Sequence, residues 1–135
     1  MTEKIIYGTD IQFIVEGLAM EHINESWFRG SLQITLKDYK NTFKAVTGPG
    51  RSGAIAAVYA SHYLGVPFIP HGSQVPDNLY PLLVIDLLEI PTVSLDTISK
   101  SGATIRKAVN KHGDKDVTGL TVFKADKKVR FWFEI

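Results

Sequence analysis

The stretch VSLDTISKSGAT, residues 93–104, decides the fold of this chain of 135 residues. Its apolar start predicts a short strand at 92–95, and its end opens a predicted helix at about 103–111. Between them lies a polar loop that begins at Asp96 and contains Gly102, where the backbone can approach a ligand closely. The free N–H groups and the positive dipole end of the helix point back into this loop. The pattern therefore predicts a strand–loop–helix cradle for a phosphate group.

An ordinary helix cap is the alternative interpretation of the same loop. Ser101 as the N-cap residue, with Thr104 in the first turn, would need no ligand. Two well-known phosphate motifs are absent, since the loop has neither the G-x-x-x-x-G-K-[ST] spacing nor a G-x-G-x-x-G. The loop alone therefore leaves both interpretations open.

A second glycine loop, GPGRSG at residues 48–53, has a comparable place in the chain. It follows a predicted strand at 42–47 and precedes a predicted helix at 54–64. Its backbone amides, the cation of Arg51 and the hydroxyl of Ser52 make an anion site on chemical grounds. A structural turn with Arg51 facing water is the alternative, but two such loops in succession favour a functional one.

The two strand–loop–helix units predict the fold class, which is a single α/β domain with a mainly parallel sheet flanked by helices. In such sheets ligands bind at the carboxyl ends of the strands, so both loops are expected to open on one shared site. Further strands are predicted at 66–70, 82–88, 120–123 and 129–133. A helix is predicted from Asp10 to about residue 22, a mobile loop at 71–78 and a turn at 125–128. The segment 27–40 fits either a helix or a strand.

Composition and charge exclude several classes of protein. Apolar residues make up 44% of the chain and charged residues 21%, which is ordinary for a soluble globular domain. Fifteen basic and fourteen acidic residues leave a net charge of +1, which gives no support for nucleic-acid binding or a polybasic membrane anchor. There is no cysteine for a disulfide or a thiolate metal site. No secretory signal and no membrane-spanning run is present, so a cytoplasmic protein without a membrane partner is expected.

The motif DTISKSGAT, with VSL before it, resembles the binding motif for 5-phosphoribosyl 1-pyrophosphate (PRPP) of the type I phosphoribosyltransferases. That motif has a hydrophobic strand, two acidic residues, a short variable stretch and then T-G-x-T. Asp96 matches the first acid, which in the family binds a ribose hydroxyl. Ser101, Gly102 and Thr104 match the T-G-x-T residues of the loop that binds the 5-phosphate. Thr97 stands where the family has its second acid, which removes one carboxylate from the ribose site.

The resemblance covers about residues 42–133 and places the loop at 48–53 where the family carries its pyrophosphate-binding loop. Asp96 and Arg51 would then be the catalytic residues. The residues at 1–40 and 120–135 would form the substrate hood and edge elements. The implied binding residues are Ser99, Lys100, Ser101, Gly102, Ala103 and Thr104 for the 5-phosphate, Asp96 and Thr97 for the ribose, Gly50, Arg51, Ser52 and Gly53 for the pyrophosphate, and Lys124 and Trp132 for the base.

The resemblance implies an enzyme that transfers the phosphoribosyl group of PRPP to a small nitrogenous base and releases pyrophosphate. Mg²⁺ would bind mostly through substrate and water, with Asp96 as a ligand through water. The loop at 71–78 would close over the site, although it carries no Lys or Arg. Dimers are common in the family, so a homodimer is compatible with the resemblance.

Two alternative functions compete with this enzyme. One is a module that binds PRPP or a nucleotide in a regulatory or interaction role without turnover, which Thr97 and the cation-free loop at 71–78 favour. The other is a nucleotide hydrolase on a similar sheet. The hydrolase is disfavoured because neither loop has beside it a cluster of carboxylates that could bind a metal ion or act as a general base.

Overall fold

Four parallel strands form the central sheet of the molecule, in the order β1–β4–β3–β2. The computed structural model describes residues 5–10, 23–89, 103–124 and 130–134. The predicted parallel α/β class is confirmed, and the predictions for 11–22, 92–95 and 125–128 lie outside the described residues. The strands are β1 (Ile5–Asp10), β2 (Ala45–Thr47), β3 (Leu82–Glu89) and β4 (Val117–Lys124); the helices are α1 (Glu25–Leu36), α2 (Gly50–Leu64) and α3 (Ala103–Asn110); and short 3-10 helices occupy Lys37–Tyr39, Asp77–Leu79 and Trp132–Glu134.

Helices cover both faces of this sheet. Helices α1 and α2 pack on one face in a core that includes Phe28 and Ala57, and α3 packs on the other face through Ile105 and Val109. The start of β3 is an unbroken apolar run because its successive side chains enter the two cores alternately. Since α2 follows β2, its first turn lies at the carboxyl edge of the sheet.

Helix α1 settles the segment 27–40, which fitted either a helix or a strand. Phe28, Leu32 and Leu36 are all buried and follow one another at intervals of four residues, the spacing of one helical face. Ile34 lies between them in the sequence and is 70% exposed. In a strand Ile34 would share a face with Leu32 and Leu36, so its exposure is what the helix explains.

The connection from α2 to β3 contains less strand than expected. In place of the strand predicted at 66–70, Phe68 makes a single parallel bridge to Val46. Farther along, Lys115, in the turn that precedes β4, donates a hydrogen bond of 2.9 Å to Asp77. This end of the loop predicted at 71–78 is therefore held at the amino edge of the sheet, and closure of the loop over a site stays a prediction.

The strand predicted at 129–133 is wrong for its described residues. Phe131 makes one parallel bridge to Ile23, and a 3-10 helix follows at Trp132–Glu134. The N–H of Glu134 donates to the carbonyl of Phe131 at 2.9 Å, which is the i+3 hydrogen bond of a 3-10 turn and takes the place of strand pairing. The rings of Phe131 and Phe133 stack on each other at 6.0 Å.

The two ends of the chain contribute unequally to the sheet. Strand β1, which was not predicted, lies at one edge beside β4. Asp10, predicted to cap a helix, is the last residue of β1, and that helix lies outside the described residues. Residues 120–124 belong to an internal strand, so this part of the predicted hood and edge region lies in the core sheet. None of the described helices is long and apolar enough to cross a membrane.

Candidate functional site

The loop at 48–53 lies directly against the central strand β3 at the carboxyl edge of the sheet. A Cβ atom added to Gly48 would lie 2.6 Å from the carbonyl oxygen of Ile85 and would also collide with the carbonyl group of Gly53. Such distances are shorter than any ordinary contact, so only glycine lets the chain turn here from strand to helix. The close approach places Gly48, two residues before the start of α2, next to the peptide group that joins Ile85 to Asp86.

Helix α2 begins earlier than expected, at Gly50 instead of residue 54. Its first helical hydrogen bond runs from the N–H of Gly53 to the carbonyl oxygen of Pro49 at 3.0 Å. The N–H groups of Gly50, Arg51 and Ser52 precede that bond, and no side chain of the described residues caps this end. Uncapped N–H groups at a helix start can bind anions, and the anion site predicted for this loop stays a prediction.

Arg51 is an exposed cation in the first turn of α2, where no acidic residue accompanies it. Its guanidinium carbon lies 5.4 Å from the centre of the Phe133 ring, within the range of a cation–π contact. A cation at a helix N-terminus opposes the helix dipole, which favours negative charge there. Arg51 therefore does not stabilise α2 through the helix dipole, and its role in binding an anion stays a prediction.

Asp86 is a polar residue near the carboxyl end of β3 that sequence reasoning did not assign to the site. It lies opposite Thr121 of β4 and two residues beyond Val84, which faces Thr47 at the end of β2. Its carboxylate is half-buried and accepts a hydrogen bond of 2.8 Å from the N–H of Leu87. A signal was present in the sequence, because a lone acid inside an apolar run seldom lies in a buried strand without a role.

Two buried hydroxyl groups flank Asp86 in the sheet. The hydroxyls of Thr47 and Thr121 have no hydrogen-bond partner within the described parts of the chain. Leaving a buried hydroxyl unpaired costs about 1–3 kcal/mol, so such groups usually indicate a local role. Thr47 and Thr121 each lie two residues beyond Ala45 and Gly119, and so share the face of the sheet on which α3 packs. Asp86 and its two neighbours thus form a polar patch at one end of an apolar face.

The predicted phosphate cradle is described only at its end. The helix predicted at about 103–111 is confirmed as α3, and its first residues are Ala103 and Thr104. The side chain of Ile105 packs into the core beside β3 and β4, which anchors the start of this helix on the sheet. The remaining predicted residues, Asp96, Thr97, Ser99, Lys100, Ser101 and Gly102, lie outside the described residues.

Lys124 and Trp132, the predicted base-binding residues, contact different aromatic side chains. Lys124 ends β4, and its ammonium nitrogen lies 5.6 Å from the ring centre of Tyr7 on β1. Trp132 packs against Phe28 and Tyr59 with ring centres 5.1 Å and 6.2 Å away. Trp132 also contacts Phe133, and so it adjoins the ring beside Arg51. A shared base pocket of Lys124 and Trp132 stays a prediction.

The chemistry of the described side chains bears on the expected Mg²⁺. In these parts of the chain no three His, Asp or Glu side chains gather closely enough to hold a metal ion by themselves. A Mg²⁺ ion keeps several waters and commonly binds through one or two carboxylates and substrate phosphates. The half-buried carboxylate of Asp86 fits such a site, as a group that would share the ion with phosphate oxygens.

A second polar cluster lies at the amino edge, away from this site. The hydroxyl of Tyr80 lies 2.9 Å from Nδ1 of His112, just after α3. Burial, helped by the positive charge of Lys111 and of His71, lowers the pKa of His112. Burial and the charge of Lys111 likewise lower the pKa of His71, and burial raises the pKa of Tyr80.

Comparison with solved structures shows the fold of the type I phosphoribosyltransferases. The xanthine-guanine-hypoxanthine phosphoribosyltransferase of Helicobacter pylori matches with a TM-score of 0.60 and 15% identity over 85% of this chain and 92% of that one. A purine phosphoribosyltransferase of Pyrococcus horikoshii Ot3 matches with a TM-score of 0.51 and 18% identity over 84% and 94%. A protein of Neisseria gonorrhoeae solved with bound ppGpp matches with a TM-score of 0.50 and 12% identity over 97% and 82%. No protein-family model and no curated protein matches the sequence.

Proposed function

We propose that this protein transfers the phosphoribosyl group of PRPP to a nitrogenous base and releases pyrophosphate. The observation that carries the proposal is the close approach of Gly48 to the carbonyl of Ile85, which holds the loop before an uncapped, cationic helix start against the central strand, one residue before Asp86. The fold supports it, since two similar structures are purine phosphoribosyltransferases. An anion site and a carboxylate at one sheet edge suit a substrate that carries both phosphates and a diol.

The reaction breaks the bond between the anomeric carbon of PRPP and the pyrophosphate oxygen. A bond then forms from that carbon to a ring nitrogen of the base, whose proton is released. Positive charge develops on the ribose and negative charge on the leaving pyrophosphate. Arg51 and the free N–H groups of Gly50 and Ser52 would stabilise the pyrophosphate, and Mg²⁺, when bound, would neutralise further charge on it. No protein nucleophile is needed.

The ribose contact has two candidates in this chain. The resemblance assigns it to Asp96, and the structure adds Asp86, which ends the apolar run LLVI in the central strand as an acid ends the strand of the family motif. Asp86→Asn and Asp96→Asn separate the two. The carboxylate that binds the diol is the one whose loss weakens PRPP binding, whereas ribose-free pyrophosphate should bind both variants equally.

Titration calorimetry with PRPP and Mg²⁺, followed by a pyrophosphate-release assay, tests the whole proposal. Purines are the first acceptors to supply, because the bases named for two similar structures are purines. The expected result is PRPP binding and release of pyrophosphate only in the presence of one class of base. Binding without release by any base would reject the enzyme, and the absence of PRPP binding would reject the site.

A regulatory nucleotide-binding module is the second candidate. Three observations favour it: Thr97 replaces an acid of the motif, the loop at 71–78 has no cation, and a structure of similar fold holds bound ppGpp. A module of this kind would bind PRPP or a guanosine polyphosphate without turnover. Competition between ppGpp and PRPP in the same titration, together with an absent pyrophosphate burst, would be its signature.

A further inference from the structure

We infer that Phe133 is a positioning residue that holds the guanidinium of Arg51 at the mouth of the anion site. The inference rests on the proposed function, because it assigns a role to the pyrophosphate end of that site. Its basis is the distance of 5.4 Å between the guanidinium carbon of Arg51 and the ring centre of Phe133. Arg51 is an exposed side chain, so this ring restricts a cation that would otherwise sample many rotamers.

The ring of Phe133 is itself fixed by its neighbours. It stacks on Phe131 with ring centres 6.0 Å apart and planes 10° apart, and it meets Trp132 edge-on at 5.1 Å. Phe131 is 4% exposed, which anchors the segment in the core. A ring supported on two sides is a stable surface for a guanidinium, which stacks readily on aromatic faces.

The backbone of the C-terminal segment is tied to the start of α1. The N–H of Ile23 donates to the carbonyl of Arg130 at 2.8 Å, and the N–H of Trp132 donates to the carbonyl of Ile23 at 3.0 Å. The side chain of Trp132 also lies between Phe28 of α1 and Tyr59 of α2. The segment at 130–134 therefore joins both helices and cannot shift without disturbing that packing, so it is suited to position Arg51 rather than to follow it.

Electrostatics explains why Arg51 benefits from such a support. The helix dipole of α2 repels a cation in its first turn, and no acidic side chain accompanies Arg51 there. The electron-rich face of Phe133 compensates part of that repulsion while leaving the N–H donors of the guanidinium available to an anion. A carboxylate in the same place would occupy those donors. The aromatic ring thus keeps the cation near the helix start without competing for the ligand.

The test uses the whole chain, with Mg²⁺-pyrophosphate as the ligand and calorimetry as the measurement. Phe133→Leu removes the ring face and keeps an apolar side chain, and we expect it to weaken pyrophosphate binding by about two- to fivefold. Phe133→Tyr keeps the ring face and should retain wild-type affinity for pyrophosphate. In an Arg51→Ala background, Phe133→Leu should have no further effect, because a positioning residue acts through the group it positions.

Tyr63→Leu is the matched control. It removes the ring from a second cation–π pair, in which Lys40 lies 4.7 Å from Tyr63 near the far end of α2, and it should leave pyrophosphate affinity unchanged. Thermal unfolding of every variant shows whether it is folded. Equal affinity of Phe133→Leu and wild type, or the same loss with and without Arg51, would overturn the inference. If the wild type binds neither pyrophosphate nor PRPP, the proposed function itself fails, and that result is distinct from either of these.

Discussion

Gly48 is the residue at which the fold and the candidate site depend on one another most directly. A side chain there would meet the carbonyl groups of Gly53 and Ile85. Forcing an extra methyl group into a packed position typically costs about 1–3 kcal/mol. We therefore expect Gly48→Ala to lower the free energy of unfolding by at least that amount in a urea titration, and to weaken PRPP binding because α2 would move away from β3.

Gly30 supplies the control for this substitution. It lies on α1, where a Cβ would meet nothing within 4 Å, and alanine is the better helix former by about 1 kcal/mol. Gly30→Ala should raise the free energy of unfolding and leave ligand binding as it is. Equal stability of Gly48→Ala and wild type would show that the close contact between the loop and β3 is not present in solution.

Thr121 tests whether the buried polarity around Asp86 serves stability. Its hydroxyl is fully buried without a partner among the described residues, so Thr121→Val removes an uncompensated polar group at little change in shape. We expect the free energy of unfolding to rise by up to about 1 kcal/mol. Thr35→Val is the comparison, because the Thr35 hydroxyl donates to the carbonyl of Ser31 at 2.8 Å and its loss should destabilise the protein. A clear loss of stability in Thr121→Val would mean that this hydroxyl is paired in solution.

At the level of elements, the sequence predicted the helices and strands that a local hydrophobic pattern controls. It missed those that depend on tertiary contacts. Strands β2 and β3 and helices α2 and α3 were expected, since each has a clear apolar run or a glycine boundary. Strand β1 has only a short apolar start, and its partner β4 lies more than a hundred residues away in the sequence. The aromatic residues near the C-terminus suggested a strand by their local pattern. Their actual partners, among them Phe28, Tyr59 and Arg51, are distant in the sequence and cannot be inferred from spacing.

The contact between the end of α3 and the segment before β3 predicts a pH dependence of stability. Burial lowers the pKa of His112, with contributions from Lys111 and His71, so the folded protein binds a proton there less readily than the unfolded chain. In the tautomer whose Nδ1 accepts from the Tyr80 hydroxyl, protonation would also remove that acceptor. The resulting stability is fully present above the unfolded pKa near 6.5 and is lost as the pH falls below it. Urea titrations at about pH 7.5 and about pH 5 should show this decline in the free energy of unfolding, because each pH lies roughly one unit or more from the unfolded pKa.

Substitution of His112 isolates its share of the pH effect. In His112→Gln the decline between neutral and mildly acidic pH should be shallower, and His71, whose pKa burial also lowers, should contribute to the part that remains. His62→Gln changes an exposed histidine on α2 and serves as the control. An unaltered slope in His112→Gln would contradict the cause assigned here.

For the molecule as a whole, the sequence indicated the edge at which a site lies, but not all the residues that meet there. The loop at 48–53 could be chosen as a candidate because its glycines, its cation and the helix after it form a recognisable local pattern. Asp86 was marked only as a lone acid in an apolar run, because its place near that loop depends on the register between β2 and β3, which no local pattern contains. Likewise Phe133 meets Arg51 only because the C-terminal segment pairs with Ile23.

Ligand binding to the folded state alone should raise the stability of the entire protein, and this gives a test that needs no knowledge of the acceptor. PRPP with Mg²⁺ at a hundred times its dissociation constant would add about 2.7 kcal/mol, a rise of roughly 10 °C in Tm for a domain of this size. Arg51→Gln should reduce that rise, because it removes the cation at the uncapped start of α2. Arg29→Gln removes a cation that pairs with Glu25 on α1 and should retain the full rise. An equal rise in both variants would show that Arg51 does not contact the pyrophosphate, even if PRPP binds.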